Sequence, residues 1–167
     1  MYQNFDKVNT ISSLGGGPIG AGWAAHFLSR GFKVNSYIHT IEEKSSYESI
    51  IETAWSSLKE IGLQKSASLD NLKISTNLEE VLQDSDFVQE SIPEILELKC
   101  KFYQKLGELV PEHVVIASST SGLTMTKIQK LCSTPDRTVI GHPFNPPYLL
   151  PLVEIVGGKQ TSQSTVE

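Results

Sequence analysis

The sequence predicts an α/β protein built on a doubly wound, mainly parallel sheet, and three observations predict it. Short segments of strand character alternate with segments of helical period from one end of the chain to the other. The first strand runs into Gly15-x-Gly17-x-x-Gly20, directly before a helix. Val114-Val115-Ile116-Ala117 is a near-continuous apolar run, as a strand covered on both faces requires. The 167 residues have the length of one domain, enough for a sizeable core. No internal repeat or interior linker interrupts them.

Taken in order, Ile11 to Leu14 is the first strand and the turn after it carries the glycines. Gly15 allows the tight turn, Gly17 lets backbone approach a dinucleotide's pyrophosphate, and Gly20 lets the helix lie close on the strand. Pro18 suits a first helical turn although it removes one N–H, and with Ile19 it completes the candidate phosphate loop. The helix N-terminus faces the anion. Trp23 to Leu28 continues the helix, Arg30-Gly31 stops it, and Phe32 to Ile38 is the second strand.

A dinucleotide fold usually ends this strand in an acid that binds the adenosine ribose. Ile38 stands in that place and is the candidate ribose position. The nearest acids are Glu42 and Glu43, which either reach back to the ribose or are first-turn helix acids favoured by the macrodipole. No arginine is at hand for a 2′-phosphate, although Lys44 is near, so the reading is NAD. Ile38 in place of the acid predicts weakened binding that Ile38→Asp restores.

Glu42 to Ile61 carries Ile50, Ile51, Ala54, Trp55, Leu58 and Ile61 close to helical spacing and ends at Gly62, which makes Trp55 a core residue. Leu72 to Ser75 is a strand, Asn77 to Leu82 a short helix, and Phe87 to Glu90 the fourth strand. The loop Ser91-Ile92-Pro93-Glu94 follows at a strand's carboxyl end, where open parallel sheets bind ligands. Helix Ile95 to Val110 comes next. Glu94 and Lys99 are either a solvated pair or contacts to the nucleotide. The strand Val114 to Ala117 delivers Ser118-Ser119-Thr120-Ser121-Gly122 to the same edge, where the hydroxyls either cap a helix over Leu123 to Cys132 or meet a ligand. Ser119 is a cofactor candidate. Thr138 to Gly141 is the sixth strand, ending in His142, and Leu152 to Val156 the seventh. Thr161-Ser162 reads as the cap of a further helix.

Composition narrows the partners. A net charge of −5 with no basic cluster argues against a nucleic-acid partner, and no apolar segment is long enough for a membrane span. The first ten residues, MYQNFDKVNT, lack the apolar core of a signal peptide. Cys100 and Cys132 have no metal-ligand spacing and read as reduced thiols of a cytoplasmic protein. No metal is expected, and the partner is a small molecule.

The chemistry centres on His142, in Gly-His-Pro-Phe-Asn-Pro-Pro, where prolines hold the backbone. Imidazole takes a proton from an alcohol near neutral pH, and does so best when a carboxylate fixes its tautomer. Glu154 interrupts the apolar strand Leu152 to Val156, where a carboxylate ordinarily needs a partner. Either the two form a pair, or they are a turn histidine and an edge-strand charge.

Through GGGPIGAGW, DFVQESIPE, ASSTSGL and GHPFNPPYLLPLVEIVGG the chain resembles, nearly end to end, the Rossmann-type nucleotide-binding domain of the 3-hydroxyacyl-CoA dehydrogenase superfamily. The last of these segments is the most specific. The spacing of Ser121, His142 and Glu154 agrees with that family's Ser, His and Glu. SSTSG and HPFNPPYLLPLVE are most similar to the L-carnitine 3-dehydrogenase branch, and less to the lambda-crystallin (gulonate dehydrogenase) branch.

The resemblance implies NAD-dependent oxidation of a 3-hydroxy compound, most similar to L-carnitine, to the 3-oxo compound. His142 is then the base, Glu154 its orienting carboxylate, and Ser121 a hydroxyl at the reacting oxygen, with Asn145 shaping the site. Glu94 and Lys99 lie at the cofactor edge. Residues 1–167 correspond to the NAD-binding domain alone, the helical second domain that completes the pocket and makes the homodimer being absent from them. The apolar surface it covers is expected near Phe144, Tyr148, Leu149 and Leu150. Two alternatives stand beside this: a 3-hydroxyacyl-CoA dehydrogenase of fatty-acid metabolism, and a non-catalytic, crystallin-like nucleotide-binding protein.

Overall fold

The structure, a computed structural model, describes residues 7–167; most of the segment read for a signal peptide lies outside them. The chain runs through β1 (Thr10–Leu14), α1 (Pro18–Ser29), β2 (Lys33–Tyr37), α2 (Lys44–Ile61), β3 (Leu72–Ser75), α3 (Leu78–Leu82) and β4 (Phe87–Glu90). It continues through α4 (Leu96–Leu109), β5 (Val115–Ser118), α5 (Met125–Ile128), β6 (Thr138–Pro143), β7 (Val153–Gly157) and α6 (Gln163–Val166).

The strands form one sheet in the order β3-β2-β1-β4-β5-β6-β7. β1 pairs in parallel with both β2 and β4, so the winding reverses between β1 and β4. A crevice opens at the carboxyl ends of strands at such a point, and here the glycine turn after β1 and the Ser91 loop after β4 form its lips. Only β7 runs antiparallel, along β6.

Both faces of the sheet are covered. Residues an odd number apart on a strand point to opposite faces. Ile11 accordingly packs with α1 and α2 around Ala24, Leu28, Tyr47 and Trp55. Leu14 packs on the other side with Val81, Leu82, Tyr103, Leu106 and Ile128. α1, which carries no charged residue, is buried along most of its length, and α2 turns only one stripe inward.

The central strand is more polar than a doubly covered strand ordinarily is. Ser12 and Ser13 are both fully buried. Ser12 Oγ donates to the Val81 carbonyl at 2.7 Å, and Ser13 Oγ donates to Gly20 O at 3.0 Å. The second bond ties the strand to the first turn of α1. Tyr47 adds to the same patch, its hydroxyl donating to Ser36 Oγ at 3.0 Å. Burial pushes its ionisation up to about 12, against the hydrogen bonds from Ser36 and Ser13.

Two elements differ from expectation. The helix read over Leu123 to Cys132 is one α turn, α5, followed by a 3-10 turn at Gln129–Leu131. Gln129 there is buried, its amide donating to Pro135 O at 2.9 Å and to Thr138 Oγ1 at 3.0 Å, which ties the short segment to the start of β6. β7 is exposed along its whole length, because topology places it at the sheet edge. Among the described residues no helix is long and apolar enough to cross a membrane.

Candidate active site and cofactor cleft

The glycine turn is built as its spacing requires. Gly15 has φ +131°, and a side chain there would strike the Ser91 carbonyl, so only glycine serves. Gly20 abuts the Gly15 carbonyl, which brings α1 hard against the turn. Gly17 is different. It caps α1 with φ −82°, a value any residue adopts, no side chain caps the helix, and nothing lies within 4 Å of where its Cβ would stand. The protein itself does not need glycine there, so the room it leaves is room for a ligand. A helix N-terminus facing that space suits pyrophosphate, and the residues present fit a dinucleotide. Pro18 and Ile19 form the first turn of α1 beside it.

The space opens into a cleft of about 1150 Å³, lined by Gly15, Gly16, Gly17 and Glu43 on one side and by Ser91, Ile92, Leu98 and Phe102 on the other.

Ile38 does not reach this cleft. It is completely buried, among the α1–α2 core residues. The sequence-based expectation that Ile38→Asp strengthens cofactor binding is therefore corrected: the substitution places an unpaired carboxylate in a closed apolar core. It costs about 3–5 kcal/mol, the range for an uncompensated buried charge. Chemical denaturation shows this as a fall in midpoint, and an unchanged midpoint would mean that the side chain reaches water.

Lys99 and Glu94 both make contacts within the protein. Lys99, 1% exposed, donates from Nζ to Glu90 Oε1 at 2.5 Å and to the Ile92 carbonyl at 3.1 Å. Glu90 is fully buried too, and it accepts from Ile92 N and from Ser118 Oγ. This saturated ion pair holds the Ser91–Pro93 lip of the cleft from behind. Glu94 accepts from Thr120 Oγ1 and, at 3.1 and 3.0 Å, from the amides of Ser121 and Gly122. Burial pulls its carboxyl upward. The Thr120 hydroxyl, the Gly122 amide, the Lys99 ammonium and the Ser121 amide together outweigh burial and hold it below the usual range. Glu94 thus fixes the Ser118–Gly122 loop, and Ser121 stands exposed at its tip.

The β6–β7 pairing sets the chemistry. Its antiparallel register places His142 directly opposite Glu154, and Nδ1 of the imidazole lies 2.8 Å from Glu154 Oε2. Glu154 is 58% exposed, so register and not burial makes the pair; the argument from an apolar strand interior does not apply. With Nδ1 engaged, Nε2 is the nitrogen left to meet a substrate. Asn145 lies exposed in the turn that follows β6.

His142 is not part of the cleft lining, and a hydrogen-bonded chain joins the two. Ser91, on the cleft lip, lies 2.8 Å from Ser119 Oγ, which accepts from Gln89 Nε2 at 2.8 Å and from Trp23 Nε1 at 3.2 Å. Gln89 Nε2 also donates to the carbonyl of Gly141, the residue before His142. Ser119 is therefore a junction between the cleft and the strand that carries His142. Sequence reasoning missed Gln89, Glu90 and Trp23. The signal was the Gln-Glu pair closing a strand that should be apolar throughout. Among the described residues no cluster of His, Cys, Asp or Glu could hold a metal ion.

Comparison with known proteins agrees with this geometry. Residues 10–167 match the family described as 3-hydroxyacyl-CoA dehydrogenase, NAD binding domain. An L-carnitine dehydrogenase of Nocardiopsis dassonvillei is 45% identical over 162 residues, which are 97% of this chain and 49% of that protein. The chain thus spans about half the length of the curated relatives it matches. The crystal structure of 3-hydroxybutyryl-CoA dehydrogenase from Escherichia coli K12 superposes with a TM-score of 0.86 at 28% identity, covering 96% of this chain and 34% of that one. That of (S)-3-hydroxybutyryl-CoA dehydrogenase from Ralstonia eutropha superposes with a TM-score of 0.86 at 29% identity, covering 95% and 57%. The reversal point, the open space over Gly17 and the family match over residues 10–167 together make NAD the cofactor, and the chain belongs to the 3-hydroxyacyl-CoA dehydrogenase family, in its NAD-binding domain.

Proposed function

We propose that this chain is the nucleotide-binding half of an NAD-dependent dehydrogenase that oxidises L-carnitine to 3-dehydrocarnitine. The observation that carries the reading is the His142–Glu154 pair, held at 2.8 Å by strand register. A purely nucleotide-binding or structural protein gains nothing from that pair. The choice of L-carnitine rests on the similarity to L-carnitine dehydrogenases from several bacteria, 38–45% identical over nearly the whole chain.

Bound in the cleft, NAD supplies a hydride acceptor. The protein does the rest. Glu154 fixes the proton of His142 on Nδ1, so that Nε2 is unprotonated and takes the hydroxyl proton of the 3-hydroxy compound. Glu154 then stabilises the imidazolium. Ser121 donates toward the reacting oxygen, and Asn145 shapes the same wall. Both lie exposed here, so the second half of the protein is needed to close the pocket and exclude water.

Surface for that second half is present. Phe144, Leu149, Leu150, Leu152, Ile155 and Val156 are all at least 40% exposed and follow one another along the β6–β7 region. Tyr148 is the exception, packed against the α1 core. The same proposal makes the full-length form a homodimer acting in the cytoplasm.

The test measures NADH formation with L-carnitine, 3-hydroxybutyryl-CoA and gulonate, on a form that includes any sequence encoded after Glu167. L-carnitine is expected to give the highest kcat/KM, and residues 1–167 alone to bind NADH with negligible turnover. Preference for the CoA thioester would replace the substrate, and full turnover by residues 1–167 would show that they contain the whole site.

A further inference from the structure

With Ile38 withdrawn into the core, the cleft lacks the acid that a second strand ordinarily offers the adenosine ribose. The chain supplies a carboxylate from the next turn instead. After β2 it passes through His39 and Thr40 into a 3-10 turn at Ile41–Glu43, closed by a hydrogen bond from Glu43 N to Thr40 O at 3.2 Å. The Glu43 side chain then folds back: its Oε2 accepts from the His39 amide at 3.1 Å. Its carboxylate comes to rest over the glycine turn so closely that a side chain on Gly16 would collide with Oε2. Gly16 lies outside the G-x-G-x-x-G spacing, and Glu43 is what explains it.

We propose that Glu43 is the residue that recognises the adenosine ribose, accepting hydrogen bonds from its vicinal 2′- and 3′-hydroxyls, and that it sets the preference for an unphosphorylated dinucleotide. The assignment rests on the cofactor site described above and names the group that reads one end of it. Glu43 lines the cleft beside Gly15, Gly16 and Gly17, where the phosphates of a dinucleotide lead into its adenosine half. Among the described residues the His39 amide is the hydrogen-bond donor to this carboxylate, which leaves acceptor capacity for a diol. A diol offers two donors and a 2′-phosphate none, so the same carboxylate that binds NAD repels its phosphorylated counterpart.

Glu42, the other acid within reach on sequence grounds, does not share the role. It is fully exposed, lies outside the cleft lining, and is engaged by its own amide and the Thr40 hydroxyl, which hold its carboxyl below the usual range. Among the described residues no cation forms an ion pair with Glu43, although Lys105 also lines the cleft. Lys44 is turned to an exposed pairing with Glu48 at 3.8 Å.

The experiment titrates NADH and NADPH by fluorescence into the full 167-residue chain and into Glu43→Ala, Glu43→Gln and Glu42→Gln. Glu43→Ala is expected to weaken NADH by about 10- to 100-fold, the worth of a charge-assisted hydrogen-bond pair. Glu43→Gln keeps the shape and an acceptor for the His39 amide, so it preserves the turn; it is expected to lose less NADH affinity while narrowing the ratio between NADH and NADPH. Glu42→Gln is expected to match the unmutated chain. Equal NADH affinity in Glu43→Ala and the unmutated chain would overturn the assignment alone. Absence of NADH binding by the unmutated chain would overturn the cofactor site and the assignment with it.

Discussion

Replacing His142 by Gln in the catalytically complete form lowers turnover by about 10²–10⁴-fold, the range that a positioned acid–base group contributes, and leaves NADH affinity unchanged. The separation of effects follows from position. His142 lies outside the cleft lining, at the end of β6, and its one strong partner is Glu154 at 2.8 Å. Glutamine keeps a polar side chain of similar reach that can still bond to Glu154, so the β6–β7 edge holds its shape. What is lost is the nitrogen proposed to take the proton. Glu154→Gln costs less, because the imidazole stays in place with its tautomer no longer fixed by a carboxylate. Steady-state rates and NADH titrations on the two variants check this together. Turnover near that of the unmutated protein in His142→Gln would remove the mechanism, and a matching loss of NADH affinity would mean that His142 holds the cofactor.

The parts of this architecture written in local sequence were legible there. The glycine turn is one, because the G-x-G-x-x-G spacing between a strand and a helix lies in one short stretch, even though the steric demand on Gly15 comes from Ser91. The His142–Glu154 pair is another, since one hairpin-like return of the chain carries both. The parts that depend on long-range placement were not. Nothing local distinguishes Glu42 from Glu43; the 3-10 turn decides which carboxylate folds back over Gly16. Lys99 reads as a solvated partner of Glu94 or a nucleotide contact, and only the sheet shows a buried Glu90 beneath it. Ser119 reads as one of a run of small hydroxyls, and only the fold shows it joined to Gln89 and Trp23 from two other elements. Leu152 to Val156 has the composition of an interior strand and lies at the edge, because burial of a strand is set by its neighbours and not by its own residues.

The glycine turn after β1 fits a dinucleotide's pyrophosphate, and at Gly17 this fit is separable from every steric demand made by the protein itself. Its φ of −82° is open to any residue, and no protein atom lies within 4 Å of the Cβ position. Gly17→Val therefore places two methyl groups in the cradle from a Cβ position that meets no protein atom. Gly15→Ala would not serve, since its positive φ and its collision with the Ser91 carbonyl confound binding with folding. The measurement is NADH titration of the 167-residue chain and its Gly17→Val variant by fluorescence, with thermal unfolding recorded on both. NADH binding to the unmutated chain, no detectable binding to Gly17→Val, and a loss of stability no larger than an N-cap change of about 1 kcal/mol are expected. NADH binding of equal strength in both chains would contradict the fit of the turn to pyrophosphate.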